Sequence, residues 1–367
     1  MKYIVPEYYK SFQCKCGECR QSCCSGWPVS ISKLEYYRLL GINCSKKLRI
    51  RLDCALKVCP ESNEGFAQIS ADWNGNCSLQ REDGLCSLQT ELGGNSLPAV
   101  CRLYPRHARY QNDGGESSCS NSCEAVVDTL MQLHKPMQFE AIEISIDPIF
   151  ETGQFSHSYD YRTESIAILQ DRSSPLLQRF MSLSNFLFGS EFYAAITNPL
   201  SIAFRIIPKL LSYFEDSNSI SNYCITSQYF FNLNTQHYLS AENADAIMKS
   251  YLEVTISIEV LLPDWQVLVE QLIVNHMFYN NFSLTDNQDT IQDDFISLII
   301  MYSFLTFNLL GNLSLVTTPE KLVDYLAAMF RVIEHSGFRS TALKLYKNSE
   351  YSISNAVSEL LLFKIQK

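Results

Sequence analysis

The sequence predicts a mostly α-helical protein in which a small, irregular, cysteine-rich module precedes an all-α domain. Three observations carry that expectation. Of 14 cysteines, 13 lie between Cys14 and Cys123, and only Cys224 follows. Residues 1–135 are broken by turn-forming pairs, whereas apolar residues recur at helical spacing from about Tyr159 onward. The length of 367 residues suits two units at ~100–200 residues each. With 46% hydrophobic and 12% aromatic residues, the chain can bury a full core, which excludes low-complexity disorder.

We divide the chain into a cysteine module (1–135), a connection (136–158) and an all-α domain (159–367). In the first part, Asn74-Gly75, Asp83-Gly84, Gly93-Gly94 and Asp113-Gly114-Gly115 mark turns. One short helix is expected at Lys33–Leu40, stopped by Gly41. So small a module has little core, and bound metal could supply stability. Pro136, Pro148 and Gly153 mark the connection. Beyond it, residues 176–215 form a helical stretch broken at Pro199 and Pro208. Pro263-Asp264 opens a helix over Trp265–Tyr279, with Leu268, Leu272 and Met277 on one side. Thr318-Pro319-Glu320 reads as an N-cap with proline at N1, followed by Leu322, Tyr325, Leu326, Met329, Phe330 and Ile333, with Gly337 as the stop. No fixed-period repeat is visible.

Charge divides at the same place. Residues 1–135 hold 16 Lys+Arg and 14 Asp+Glu, so the rest holds 13 and 25, which gives +2 and −12 and the total of −10. A near-neutral module joined to an acidic half argues against a nucleic-acid partner held through phosphates. The start, Met1 to Glu7, shows no secretory h-region, so a cytoplasmic chain with reduced thiols is expected. Closely spaced thiols there favour metal over a disulfide framework. The uncharged run Phe295–Pro319 is long enough to span a bilayer, but its Asn, Gly, Ser and Thr weaken that signal. A buried central helix is the preferred reading, with peripheral membrane contact the minor one.

Thiolates are soft donors, and four of them suit zinc or an iron–sulfur cluster. The spacing Cys14-x4-Cys19-x3-Cys23-Cys24 lets one loop present several sulfurs to one centre, with distant cysteines closing it. Paired zinc knuckles are absent apart from the overlapping Cys16-x2-Cys19, and so is the ferredoxin run. Spacing alone therefore leaves zinc and iron both open.

At these residues the chain resembles the bacterial flagellin lysine-N-methylase family and the related putative zinc- or iron-chelating cysteine-cluster proteins. The resemblance rests on F-x-C-x4-C-x3-CC-x-GW at Phe12–Trp27, on Cys77 and the LCSLQ-x-ELG segment around Cys86, on CRLYPR at 101–106 and on SCEA at 122–125. It implies a cytoplasmic S-adenosylmethionine-dependent methyltransferase acting on lysines of flagellin, with a [4Fe–4S] cluster. Carried over by position, the family's cysteines are Cys14, Cys19, Cys23, Cys24, Cys77, Cys86, Cys101 and Cys123. Ser78 and Glu124 stand where the family favours proline, which puts the turns at those two ligands in question. Cys16, Cys44, Cys54, Cys59 and Cys119 lie outside the pattern and are expected to be structural thiols.

Lysine methylation needs a neutral amine aligned with the sulfonium methyl, and the ammonium must first lose its proton. No G-x-G-x-x-G loop is present to hold a nucleotide. Arg102 and Arg106 are candidates to grip the donor's carboxylate, although structural salt bridges are the blander reading. No catalytic residue can be singled out. Tyr104 is the one tyrosine within a motif, and core packing is its expected role. His107 is expected on a solvent-facing loop, and Trp27 and Trp73 over the metal site. The alternative function is a non-enzymatic zinc- or iron-binding protein with a helical partner-binding domain.

Overall fold

The computed structural model describes residues 2–26, 29–59, 65–111, 114–143, 161–189, 206–207, 209–210, 213, 263–285, 287–311 and 316–348. The chain begins with strand β1 (Lys2–Pro6), in which Tyr3 and Val5 point inward and Lys2 and Ile4 outward. That period of two is the strand signature. After two single-turn 3₁₀ segments come β2 (Val29–Ile31), α1 (Lys33–Gly41), α2 (Lys46–Ala55), β3 (Leu56–Val58) and β4 (Ala67–Ile69). Helix α1 starts with a capping box in which Ser32 and Glu35 satisfy each other's backbone amides. The helix read at Lys33–Leu40 is thus present and includes Gly41. Strands β2, β4 and β3 form a small antiparallel sheet in that spatial order.

Short helices α3 (Ser87–Leu92) and α4 (Ala99–Leu103) lead into the hairpin β5 (Arg106–Gln111) and β6 (Gly114–Cys119). The hairpin joins β1 and β7 (Phe139–Glu143) in a four-stranded mixed sheet ordered β5-β6-β1-β7. Strand β1 runs parallel to β6, with Tyr3 opposite Gly115, and antiparallel to β7. A side chain at Gly115 would stand 2.3 Å from the Tyr3 ring, so only glycine lets the strands approach in this register. Helix α5 (Glu124–Met131) follows β6. The cysteine-rich part is therefore irregular around its thiols but held by two small sheets that turn signals do not reveal. Strand β7 falls within the segment read as a connection, whose residues 144–158 lie outside the described residues. We keep the boundaries at 135 and 158 as a proposal.

The later part is helical: α6 (Tyr161–Leu169), α7 (Leu176–Phe188), α8 (Trp265–Tyr279), α9 (Gln288–Gly311), α10 (Pro319–His335) and α11 (Phe338–Lys347). The breaks expected at Pro199 and Pro208, and Cys224, lie outside the described residues. Thr318 caps α10 as read, accepting from the Lys321 amide, and all six of its predicted inward residues are buried. In α8, Leu268, Leu272 and Met277 are buried, together with Glu270, Gln271 and Asn275. Each polar side chain has partners: Glu270 meets Arg172 at 2.8 Å and Arg179 at 2.5 Å, and Gln271 donates to the Lys135 carbonyl at 2.6 Å. Asn275 donates to the Cys119 carbonyl at 2.8 Å. Helix α9 takes up most of the uncharged run and is buried from Phe295 to Leu305 apart from the half-buried Ser297, as a central helix should be. Among the described residues, no helix is long and apolar enough to cross a membrane.

Two apolar cores organise these elements. One lies under the small sheet and contains Val29, Ile31, Leu39, Leu48, Leu52, Ile69 and Leu88. The other runs without interruption from Tyr3, Val5 and Tyr8 through α5 to the helices, ending at Tyr346. Arg109 of β5 extends this junction by donating to the carbonyls of Phe278 and Tyr279, and Glu116 of β6 receives both guanidinium nitrogens of Arg162. The mixed sheet and the helices thus share one interior.

Candidate metal and methyl-transfer site

The loop from Cys14 to Gly26 carries Cys14, Cys19, Cys23 and Cys24 and is held from three sides. From α5, the buried Glu124 carboxylate accepts from the Gln21 amide at 2.5 Å and from Lys15 at 3.1 Å. From the Cys77 loop, the Cys77 amide donates to the Cys24 carbonyl at 2.6 Å, and Ser25 bridges Asn76. From α10, the buried Arg331 donates to the Gln21 carbonyl at 2.8 Å, Ser22 at 3.2 Å, Ser25 at 3.3 Å and Ser122 at 3.4 Å. Gly17 and Gly84 meet face to face: a side chain at Gly17 would lie 2.6 Å from the Asp83 carbonyl, and Gly84 has φ +77°. That contact sets the first cysteine loop against the segment leading to Cys86.

The two departures from proline acquire explanations here. Ser78 uses its amide and its hydroxyl on the Ser70 carbonyl, at 3.1 and 2.8 Å, and proline would lack the first bond. Glu124 is the carboxylate that ties down the cysteine loop.

The thiols fall into two mutually interacting sets. Burial pushes Cys19 up to about 12, with Glu124, Cys123, Cys14 and Cys23 adding to the rise. Burial likewise pushes Cys123 up to about 12, and Cys23 and Cys14 contribute. Cys77 rises to about 11 through burial, with Cys86 and Cys23 also raising it. Cys101 is exposed as a residue, yet its thiol is pushed up by desolvation and then by Cys77, Cys23 and Cys86. Cys14, Cys19 and Cys123 thus form one neighbourhood and Cys77, Cys86 and Cys101 another, with Cys23 felt by both. Every cysteine among the described residues is a free thiol. Soft donors that are desolvated together fit a thiophilic metal or an iron–sulfur cluster in type. Among the described residues, no three His, Cys, Asp or Glu side chains stand as a ready metal cage. The fit is therefore one of donor chemistry and neighbourhood.

The remaining predicted residues fare unevenly. Arg106 is engaged structurally: it donates to the Phe12 carbonyl at 3.0 Å and lies over the Tyr9 and Phe12 rings. Arg102, in the last turn of α4, is exposed. Tyr104 packs against the main core, as expected, and shares a hydrogen bond with Ser122 at 2.9 Å. His107 is not on a solvent-facing loop; it lies within β5, half-buried beside Tyr279, and desolvation lowers its pKa to about 4. A loop reading failed because the strand's partner, β6, is a serine-rich segment with no apolar alternation. Trp73 does not cover the site, being 89% exposed at a turn, and Trp27 lies outside the described residues. Of the extra cysteines, Cys119 is fully buried, Cys44 and Cys59 are half-buried, and Cys16 and Cys54 are exposed. Cys16 also adopts φ +54°, in the left-handed region.

Spacing did not reveal a buried polar cluster beside Cys123. The His335 ring nitrogen lies 2.8 Å from the Ser122 hydroxyl and 3.1 Å from that of Ser120. Ser120 donates to Glu334 at 2.5 Å, and the other oxygen of Glu334 meets His276 at 2.9 Å. The available signal was the Ser120-Asn121-Ser122 run before Cys123, which is too polar for a core unless partners arrive from elsewhere. They arrive from α8 and α10.

The fold is thus a helical second part joined to a thiol-bearing first part, and the comparisons say what such a chain resembles. Residues 190–358 match the FliB lysine N-methylase C-terminal domain. The chain is 28% identical over 128 residues to a lysine-N-methylase of Salmonella typhimurium, covering 34% of this chain and 31% of that protein. It is 26% identical over 165 residues to the flagellar biosynthetic protein FliU of Salmonella muenchen, covering 44% of this chain and 94% of that protein. The resemblance to the flagellin lysine-N-methylase family, read first from the cysteines, is thus supported by matches of modest identity, and the matched stretch is about a third of the lysine-N-methylase's length. No solved structure matches.

Proposed function

We propose that the chain is a protein-lysine N-methyltransferase that moves a methyl group from S-adenosylmethionine to lysine ε-amino groups of flagellin, and that it depends on an iron–sulfur cluster held by its N-terminal cysteines. The observation that carries this reading is the coincidence of the C-terminal-domain match with the ordered cysteines, packed against each other through Arg331. The thiolate set Cys14, Cys19, Cys23, Cys24, Cys77, Cys86, Cys101 and Cys123 supplies more donors than the four of one cluster, so a second metal site or packed thiols account for the rest. When bound, a cluster iron with an open position would offer a seat for the donor's amino and carboxylate groups.

The chain's own residues have the other tasks. The target ammonium must shed its proton before it can attack the methyl carbon, in line with the departing sulfur. The acidic second half suits a lysine-bearing partner, because a negative field draws cations toward it. Arg102 is exposed and available to a donor carboxylate. We place the reaction in the cytoplasm, where thiols stay reduced.

The test uses protein purified without oxygen, flagellin and S-adenosylmethionine, with lysine methylation read by mass spectrometry. Methylated flagellin together with iron and sulfide in the protein supports the proposal. A colourless protein that holds stoichiometric zinc and leaves flagellin unmethylated overturns it in favour of a metal-binding partner protein.

A further inference from the structure

Arg331 is 2% exposed, yet it lies on α10, far from the cysteines in sequence. Its guanidinium reaches into the first part of the chain and donates to main-chain carbonyls of Gln21, Ser22, Ser25 and Ser122. Those carbonyls flank Cys23 and Cys24 on both sides and immediately precede Cys123. The Gln21 unit is gripped at both ends, since its amide is held by Glu124. A planar guanidinium spreads its five donors in a fixed fork, so four carbonyls on two segments determine the positions of both segments together.

We propose that Arg331 is the positioning residue of the cysteine centre: from the helical half it fixes the backbone that presents Cys23, Cys24 and Cys123. The inference rests on the reading of these thiols as metal ligands. It makes the helical half part of the metal site, although that half contributes no candidate ligand to it.

The experiment compares full-length wild type with Arg331→Gln, Arg331→Lys and, as control, Lys347→Gln, which breaks an exposed pair with Asp293 at 2.7 Å away from the cysteines. Helix content and melting temperature establish that each variant folds. In the metal-free arm, thiol alkylation is mapped by peptide mass spectrometry. Arg331→Gln should speed labelling of Cys23 and Cys24 several-fold, and Lys347→Gln should not. In the metal arm, Co²⁺ is titrated and the thiolate charge-transfer band is followed. Residues that orient metal ligands typically change affinity about 10–100-fold when lost, and Arg331→Gln should weaken cobalt binding within that range. Arg331→Lys keeps the charge but not the fork and should fall between; it carries the comparison if the glutamine variant does not fold. Unchanged labelling and cobalt affinity in a folded Arg331 variant would overturn the proposal. A wild type that takes up neither cobalt nor iron overturns the metal reading, and the labelling arm then still decides whether Arg331 holds the loop.

Discussion

At the scale of single residues, Gly115 shows how tightly the first part is specified. A methyl group there would meet the Tyr3 ring at 2.3 Å and the Arg109 carbonyl at 2.7 Å; the ring is fully buried and the carbonyl belongs to the neighbouring strand, so neither can move without disturbing the sheet. Gly115→Ala should destabilise the protein by about 1–3 kcal/mol, measured as a lower denaturant midpoint with an unchanged slope. His107 gives a pH signature. Desolvation, then Arg109 and His335, lower its pKa from 6.5 to about 4, against a smaller opposing effect of Glu334. Between those values the unfolded chain takes up a proton that the folded chain refuses. The stability that the neutral ring contributes is therefore present above about pH 6.5 and is lost as pH falls toward 4. The full loss is at most roughly 3 kcal/mol. His107→Gln should flatten the fall in stability across that window, and an unchanged slope would exclude His107 as its source.

Among the elements, α8 explains most about how the halves are joined. Its sequence predicted a helix with Leu268, Leu272 and Met277 on one side, and the structure also buries Glu270 within it at 0% exposure. The carboxylate survives there because Arg172 and Arg179 both reach it, from the turn between α6 and α7 and from α7. Breaking such a group by removing one partner leaves uncompensated charge. Glu270→Ala should cost about 3–5 kcal/mol, whereas a single exposed pair such as Lys347–Asp293 should contribute about 1 kcal/mol or less. Thermal unfolding of the two variants, Glu270→Ala and Lys347→Ala, checks the contrast. Helices α1 and α10 were legible because their end signals are local: Gly41 at the close of the first and Thr318 before Pro319 at the start of the second act within one turn. The mixed sheet was not, because β6 pairs with β1 over more than a hundred residues and buries Ser117 and Ser118 where a strand would normally show apolar side chains.

At the scale of the whole molecule, the main apolar core passes from the first strand to the last described helix, and Arg331 and Arg109 cross the same junction. The thiols lie where these connections converge. Burial raises Cys19, Cys77 and Cys123 to about 11 or 12, so in the metal-free protein at neutral pH they hold their protons. Metal uptake should therefore release protons and weaken as pH falls. Calorimetric titration of Co²⁺ in buffers of different ionisation enthalpy measures that release, and its absence would remove these thiols as ligands.

The sequence by itself determined the fold class and the ends of α1 and α10, because composition, spacing and end signals act over short stretches of chain. It also carried the family resemblance, in the order of eight cysteines. Only the tertiary structure decided that Glu124 and Ser78 hydrogen-bond the loops around the cysteines, that His107 is a strand residue, and that Ser120, Ser122 and His335 meet. The same holds for Arg331, which reaches the cysteine loop across some three hundred residues. Partners that distant are chosen by packing, and no local pattern in the chain records the choice.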